Sequence, residues 1–212
     1  MIDRAKKIKL ENFADDIASE VALTPAIYRA FATIDREIFV PKGFKHWAYR
    51  LDALPIKANQ WISSPLTVAK MTVYLEPEGA DNVLEIGCGS GYQAAILSQL
   101  FRRVFTIERI DALLKEARER FKKLDIHNIH TRLDDGQRGW RQYAPYDRIL
   151  FSASTPAVPE TLFEQLAEGG LLVAPIERNG EQIITRFRKK EGVVTEEVKE
   201  SCLFVPVKDG IE

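Results

Sequence analysis

Three glycines at alternate positions, directly after an apolar run, constrain this chain more than any other feature of its sequence. The run contains one acid, Glu85; Gly87, Gly89 and Gly91 follow it, and a helical pattern begins at Tyr92. Glycine permits backbone angles that other residues rarely adopt and lets the main chain approach a ligand closely. The segment therefore predicts a strand, a tight loop and a helix, with a nucleotide-like ligand at the start of the helix. The spacing Gly-x-Gly-x-Gly differs from the Gly-x-Gly-x-x-Gly of dinucleotide-binding folds, so it disfavours a nicotinamide cofactor.

Predicted strands and helices alternate from position 81 onward. The expected strands are 82–86, 103–107, 129–133, 147–153 and 171–176, and the expected helices are 92–101, 111–124 and 159–166. Gly169 and Gly170 are expected to end the last of these helices before its strand begins. Repeated alternation indicates a parallel sheet with helices on both faces, so the predicted fold class is α/β, with a doubly wound, Rossmann-like sheet.

The C-terminal part of the chain has a different pattern. Segments 182–188, 193–199 and 202–207 are rich in Val, Ile, Thr and Phe, and turn signals lie at 179–180 and 190–192. Such segments predict antiparallel strands that close one edge of the sheet.

The N-terminal part is expected to cover the sheet. The sequence predicts a helical cap in residues 1–60, followed by an ordered loop that contributes to a substrate site. Residues 61–212 are expected to form the ligand-binding core. Thr24 and Ser64 each precede a proline, which is typical of a capping residue at a helix start. A chain of 212 residues, 45% of them hydrophobic, has the material for one substantial core, so we expect a single domain over 1–212.

Composition excludes several classes of protein. With 30 basic and 31 acidic residues the net charge is −1. The chain therefore lacks the excess of basic residues that is typical of proteins that bind nucleic acid. Two cysteines do not make a disulfide framework and fit a reducing compartment. No apolar run approaches the length of a membrane span, and no secretory signal is recognisable at the N-terminus. We therefore expect a cytoplasmic protein with no nucleic-acid or membrane partner.

Three acids fall at or near the ends of consecutive predicted strands, where ligands bind in a doubly wound sheet. A carboxylate at Glu108 is suited to accept both hydrogen bonds of a ribose diol. Asp135 and Gly136 are expected to contact the edge of an adenine. Glu85 is expected to contact the cationic amino-acid end of a ligand. The alternative is that these acids cap helices or face solvent. The three histidines lack partners at ligand spacing, so no metal site is expected.

With these motifs in order, the chain resembles the protein-L-isoaspartate O-methyltransferase family from about Phe39 to Val207. The matching stretches are Phe39–Pro41, Ala48-Tyr49, Leu54–Ile56, Gln60, Ile62-Ser63, Pro65, Gly87–Ala94, Thr106–Arg109, Asp135-Gly136, Gly139-Trp140, Ala144–Asp147, Pro156, Val158-Pro159, Leu166, Gly169-Gly170 and Phe204–Pro206. The resemblance implies methyl transfer from S-adenosylmethionine to the α-carboxylate of L-isoaspartyl residues in damaged proteins and peptides, which starts their repair. It also implies a class I methyltransferase sheet, and we expect a monomer.

The same resemblance assigns the site residues. The family's active-site serine falls on Ser63. The expected cofactor-binding residues are Glu85, Gly87, Cys88, Gly89, Ser90, Gly91, Glu108, Asp135 and Gly136. The expected substrate-binding residues are Ile56, Gln60, Trp61 and Ile62.

The substrate loop departs from the family pattern. Lys57 and Asn59 stand where members carry glycine, and Trp61 stands where they carry threonine. Family members usually carry Asp or Asn two residues after the Ala-Tyr pair. In this chain that position is Leu51, and an acid, Asp52, follows one residue later. Two alternatives therefore stay open: a methyltransferase of the same fold that acts on another carboxylate, and a catalytically silent relative that binds the cofactor or a partner protein.

Overall fold

The computed structural model describes residues 4–212, and its N-terminal part is helical as expected. Helix α1 spans Arg4–Glu20 and helix α2 spans Pro25–Thr33. The Thr24 hydroxyl accepts a hydrogen bond from the Ile27 N–H, which confirms the predicted cap of α2. Apolar residues of both helices are buried against the rest of the molecule.

The loop after α2 is more regular than its sequence indicates. Two 3-10 helices, Arg36–Ile38 and Lys42–Trp47, lead into a hairpin of two short antiparallel strands, β1 (Leu54–Pro55) and β2 (Trp61–Ile62). The sequence predicted an ordered loop without strands here, because strands of two residues are too short to show an alternating pattern.

A seven-stranded sheet forms the centre of the molecule, in the order β5-β4-β3-β6-β7-β8-β9. Its strands are β3 (Asn82–Ile86), β4 (Arg103–Glu108), β5 (Ile129–Leu133), β6 (Tyr146–Phe151), β7 (Leu166–Arg178), β8 (Glu181–Lys190) and β9 (Val193–Cys202). The remaining helices are α3 (Pro65–Leu75), α4 (Tyr92–Ser98), α5 (Asp111–Lys123) and α6 (Glu160–Gln165). Strands β3 to β7 pair in parallel, whereas β7, β8 and β9 pair antiparallel.

Alternating side chains divide the core between the two faces of the sheet. Val83 packs on the face that α1 to α5 cover, and its neighbour Leu84 packs on the opposite face with Leu162 of α6. This arrangement confirms the doubly wound, Rossmann-like sheet with a helical N-terminal region. Within residues 4–212, no helix combines the length and the apolar character that crossing a membrane requires.

Two predicted boundaries are wrong. Gly169 and Gly170 do not precede the strand, because β7 already begins at Leu166 and the register with β6 shifts where the glycines lie. Segment 202–207 forms no third antiparallel strand beyond its first residue. It leaves the sheet edge at Cys202 and makes only an isolated bridge between Pro206 and Ser154, since proline has no N–H with which to continue a ladder. The departure of this segment from the sheet edge brings it to the cleft described next.

Candidate active site

A cleft of about 1020 Å³, counting the space open to solvent, lies beyond the carboxyl ends of β3, β4 and β6. These strands meet at the point where the chain changes direction across the sheet, which is where doubly wound folds bind ligands. Its walls come from the β1–β2 hairpin, the start of α3, the glycine loop, the ends of β4 and β5, and the C-terminal segment.

The glycine loop takes the backbone conformation that its sequence predicts. Gly87, Gly89 and Gly91 have φ angles of 94°, 53° and 86°, all in the region that glycine favours. The N–H groups of Gly87 and Cys88 both donate to the carbonyl of Ile107, at 2.9 and 3.2 Å, which ties the loop to β4. Burial raises the pKa of the Cys88 thiol well above its usual value, which disfavours the thiolate that a nucleophilic cysteine needs.

The two later glycines of the loop are needed for different reasons. A Cβ at Gly91 would lie 2.8 Å from the ring of Phe121, whereas a Cβ at Gly89 would meet nothing within 4 Å. We therefore expect Gly91→Ala to lower the midpoint of thermal unfolding by several degrees, because it adds a clash to an unfavourable φ. We expect Gly89→Ala to have a smaller effect on thermal unfolding and to weaken cofactor binding, because its methyl group projects into open space at the cleft.

Thermal unfolding with and without S-adenosylhomocysteine measures both effects. Equal ligand-induced stabilisation of Gly89→Ala and the parent protein would show that the cofactor does not approach this part of the loop.

Glu108 organises the glycine loop and faces the cleft. One carboxylate oxygen accepts from the Gly89 N–H at 2.8 Å, and the other accepts from the Ile110 N–H at 2.9 Å. Each oxygen of a carboxylate has a second lone pair, so both remain able to accept a further hydrogen bond from a ligand. The side chain is therefore held rigidly at the end of β4 with an acceptor pair suited to a diol.

Glu85 lies fully buried beneath the loop. Its two oxygens accept hydrogen bonds from the hydroxyls of Thr106, at 2.5 Å, and Ser152, at 3.1 Å. Burial raises the pKa of this carboxyl to about 8, although both hydrogen bonds oppose that shift. Glu85 is consequently protonated at neutral pH until a positive charge comes near it.

Asp135 joins the cleft to the C-terminal segment. One oxygen caps the turn that follows β5 by accepting from the Gln137 N–H at 3.0 Å, and the other accepts from the Gly210 N–H at 3.1 Å. A Cβ at Gly136 would lie 2.5 Å from Ile86, so glycine is required here for close packing and not for an unusual φ.

The C-terminal segment covers one side of the cleft. The Ser154 N–H donates to the Val205 carbonyl at 2.8 Å, and the Val207 N–H donates to the Ser154 carbonyl at 2.7 Å. Further along, the Glu212 N–H donates to the Arg109 carbonyl at 2.8 Å. Residues 204–208 therefore form a wall of the cleft, and the last residues fasten this wall to the end of β4.

Ser63 also lines the cleft, directly after β2, and is half-buried. Ser64 caps α3 by accepting from the Thr67 N–H at 3.1 Å, which confirms the cap predicted there. The Ser63 hydroxyl makes no hydrogen bond within residues 4–212, so it is available to a ligand in the cleft. The two adjacent serines thus have separate tasks.

A fully buried arginine holds Ser63 in place. The Arg36 guanidinium donates to the carbonyl of Ser63 at 2.9 Å, and also to those of Ala48 at 2.9 Å and Asp52 at 3.1 Å. No ion pair with a carboxylate neutralises it in the part of the chain that the structure describes. Burial lowers the pKa of this guanidinium, yet an arginine remains charged at any ordinary pH. Arg36 therefore supplies both a scaffold for the substrate loop and a positive charge behind Ser63.

The departures from the family pattern have visible consequences. Lys57 forms an ion pair with Glu116 of α5, whose other oxygen lies 2.8 Å from Arg120, and Arg120 donates to the Ser90 carbonyl at 3.0 Å. Partial burial would raise the pKa of Glu116, but these two cations lower it below its usual value. Asn59 takes a φ of 52°, a conformation that asparagine tolerates better than most residues. The hairpin is therefore tethered to the glycine loop from outside the cleft.

The structure brings most of the predicted site residues to one cleft, with two exceptions. Ile56 packs against the hydrophobic core and does not line the cleft, and Gly91 faces Phe121 at the start of α4. The other predicted residues line the cleft: Gln60, Trp61, Ile62, Ser63, Glu85, Gly87, Cys88, Gly89, Ser90, Glu108, Asp135 and Gly136. Sequence reasoning missed Arg36 and the wall at residues 204–208. Within residues 4–212, no group of three or more His, Cys, Asp or Glu side chains is placed to hold a metal ion.

These features define a class I S-adenosylmethionine-dependent methyltransferase: a doubly wound sheet, a Gly-x-Gly-x-Gly loop after β3, and an acid, Glu108, at the end of β4. Comparison with known proteins specifies the family. A family model described as protein-L-isoaspartate(D-aspartate) O-methyltransferase matches residues 9–212. A protein-L-isoaspartate O-methyltransferase of Helicobacter pylori (strain J99) is 56% identical over 206 residues, which cover 97% of this chain and 99% of the relative. The chain belongs to the protein-L-isoaspartate(D-aspartate) O-methyltransferase family.

Solved structures agree with this assignment. One named protein-L-isoaspartate O-methyltransferase superposes with a TM-score of 0.86 at 26% identity, over 97% of this chain and 67% of that chain. A putative protein-L-isoaspartate O-methyltransferase from Plasmodium falciparum, in complex with S-adenosyl-L-homocysteine, gives a TM-score of 0.83 at 21% identity, over 94% of this chain and 98% of that chain. The second similarity supports the fold alone.

Proposed function

We infer that this chain methylates the α-carboxylate of L-isoaspartyl residues in damaged proteins, with S-adenosylmethionine as the methyl donor. The observation that carries the inference is a serine hydroxyl without a protein partner within residues 4–212. Arg36 holds the backbone of this serine, and the serine lines the same cleft as the glycine loop and Glu108. Family membership over residues 9–212 supports the substrate class.

The residues of the cleft fit the proposed cofactor. Open space at the Gly89 Cβ position leaves room for a ligand against the loop backbone. Glu108 would hold the ribose diol on its two unused lone pairs, and Asp135 and Gly136 lie where an adenine would meet the end of β5. Glu85 would meet the cationic amino-acid end from beneath the loop. When bound, S-adenosylmethionine supplies a methyl group that its positive sulfur has already activated.

The proposed reaction requires little acid–base catalysis from the protein. A carboxylate with a pKa of roughly 4 is ionised at neutral pH, so no general base is needed. None of the three histidines lines the cleft, in accord with this requirement. The Ser63 hydroxyl would donate to one carboxylate oxygen and leave the other free to attack, and the charge on Arg36 would favour an anion there. The C-terminal wall would exclude water and so strengthen these interactions.

The raised pKa of Glu85 makes a specific prediction about cofactor binding. A cationic ligand favours the ionised carboxylate, so below pH 8 Glu85 must release a proton before the ligand binds. We expect affinity for S-adenosylmethionine to rise between pH 6 and pH 8, by at most about tenfold per pH unit, and then to level off. Calorimetric titrations in two buffers of different ionisation enthalpy measure both the affinity and the released proton.

Glu85→Gln is the matched control, because its amide keeps the shape of the neutral carboxyl. Its binding profile should be flat over the same range, with no proton released. A parent profile as flat as that of the variant would mean that Glu85 does not meet the cationic end of the ligand.

A direct test separates this function from its two alternatives. We expect an isoaspartyl peptide to acquire a base-labile methyl ester and then to convert partly to the normal aspartyl peptide, because the ester re-forms a succinimide. Esterification of other peptide carboxylates, with the isoaspartyl site untouched, would indicate the related methyltransferase. Stabilisation by S-adenosylmethionine against heat without any methylation would indicate the silent relative.

We further propose that the chain acts as a monomeric, single-domain enzyme of the cytoplasm. One continuous core joins α1 and α2 to α3 and to the sheet, which supports a single domain over 1–212. Cys88 and Cys202 are both unpaired, which fits a reducing compartment. Sedimentation at several concentrations tests the oligomeric state.

A further inference from the structure

A second concavity, the outer groove, is lined by the β1–β2 hairpin and by the segment 44–53 that precedes it. It encloses about 560 Å³, counting the space open to solvent, and its lining includes Phe44, Trp47, Arg50, Pro55 and Trp61. Trp61 is a wall of this outer groove and also of the cofactor cleft, so the two concavities adjoin each other at this residue.

The outer groove exposes an unusual amount of aromatic surface. The side chains of Trp61 and Trp47 are 53% and 36% exposed. The ring of Phe44 lies 5.5 Å from that of Trp47, and the Arg50 guanidinium lies 5.8 Å from the same ring. Clustered exposed aromatic residues mark binding surfaces, and Trp and Arg are the residues that contribute most binding energy at interfaces.

The position of the groove identifies its occupant. Ser63 is two residues from Trp61, a separation of at most about 7 Å along the chain. A polypeptide whose isoaspartyl carboxylate reaches Ser63 must leave the cleft over its rim, and Trp61 is part of that rim. Residues within about three positions of the damaged one therefore come within reach of the groove.

We propose that the outer groove binds a large apolar or aromatic side chain of the substrate polypeptide, within three residues of the isoaspartyl site. This proposal rests on the function inferred above. Trp61 gives the groove a large aromatic wall where the family pattern places a smaller threonine. Trp47 and Phe44 supply the floor of the groove, and the guanidinium of Arg50 can stack on an aromatic ring that enters it.

A peptide series tests the proposal. Each peptide carries one isoaspartyl residue in a glycine–serine background, with a single tryptophan, leucine or serine at one of the three positions on either side. We expect tryptophan or leucine at one or more positions to raise kcat/KM by about tenfold over serine, mostly through a lower KM. Burial of one large apolar side chain is sufficient for an effect of that size.

Two variants assign the effect to the groove. In Trp47→Ala and in Trp61→Thr, the ratio of kcat/KM for the best apolar peptide to that for its serine counterpart should fall to about 1. Val193→Ser, which changes a 62% exposed residue at the tip of the β8–β9 hairpin, should keep the parent ratio. Because Trp61 is more than half exposed, thermal unfolding of Trp61→Thr should stay close to that of the parent, and this variant tests the groove even if Trp47→Ala is less stable.

The outcomes separate this proposal from the inferred function. Equal kcat/KM for all flanking residues in the parent would contradict the proposal that the groove binds a substrate side chain. An apolar preference that persists in both tryptophan variants would contradict it too. Neither result would contradict isoaspartyl methylation. Failure of the parent to methylate any peptide of the series would overturn the inferred function, and the groove proposal with it.

Discussion

Replacing Arg36 by methionine is expected to lower the free energy of unfolding by about 3–5 kcal/mol and to reduce turnover more than any other single change outside the cleft. The guanidinium donates to backbone carbonyls of Ala48, Asp52 and Ser63, and each buried carbonyl that loses its donor costs about 1–3 kcal/mol. The variant also loses the positive charge behind Ser63. Stability and chemistry therefore decline together, for two different reasons.

Urea denaturation and steady-state kinetics at low temperature measure the two effects. Arg36→Lys keeps the charge but loses the planar array of donors, so it should recover part of the turnover and little of the stability. Arg29→Met, at an exposed position of α2, should change stability by less than about 0.5 kcal/mol. A stable Arg36→Met protein with parental kcat would contradict the scaffold that we describe.

Replacing Ser63 by alanine is expected to lower kcat by about 10- to 1000-fold, which is the scale of losing one donor that positions a reacting group. The fold should be unaffected, because the Ser63 hydroxyl makes no hydrogen bond within residues 4–212. Binding of S-adenosylmethionine should change far less than kcat, since the glycine loop, Glu108 and Asp135, which would hold the cofactor, are unchanged in the variant. Single-turnover kinetics and calorimetric titration measure these two quantities separately.

The adjacent serine is a matched control. The Ser64 hydroxyl accepts from the Thr67 N–H at the start of α3, so Ser64→Ala should cost about 1 kcal/mol of stability and leave kcat of the folded protein near that of the parent. If Ser63→Ala turns over as fast as Ser64→Ala, then Ser63 has no part in the reaction.

Short-range patterns in the sequence were sufficient to predict the parallel part of the sheet and the residues of the glycine loop. The glycine loop and Glu108 are readable because each is fixed by its position relative to a strand end, and the strands themselves are buried apolar runs. Pairs of capping residue and proline located the starts of α2 and α3 for the same reason. Such features depend on neighbours within a few residues along the chain.

The features that the sequence did not reveal depend on distant contacts. Arg36 lies in a short polar turn, where an arginine is ordinarily exposed, and it is buried only because segments 48–52 and 63 converge on it. Segment 202–207 has the composition of a strand, yet Ser154 and Asp135 draw the chain across the cleft instead. The early start of β7 requires a register shift against β6 that no local pattern encodes.

Transfer of a labelled methyl group from S-adenosylmethionine to one peptide in two forms, isoaspartyl and normal aspartyl, tests the central claim most directly. We expect base-labile label on the isoaspartyl form alone, and a rate of labelling that is about 10- to 1000-fold lower in Ser63→Ala under the same conditions. That result would show that Lys57, Asn59 and Trp61 are compatible with repair methylation. Label on neither form, with cofactor binding still measurable, would contradict the claim.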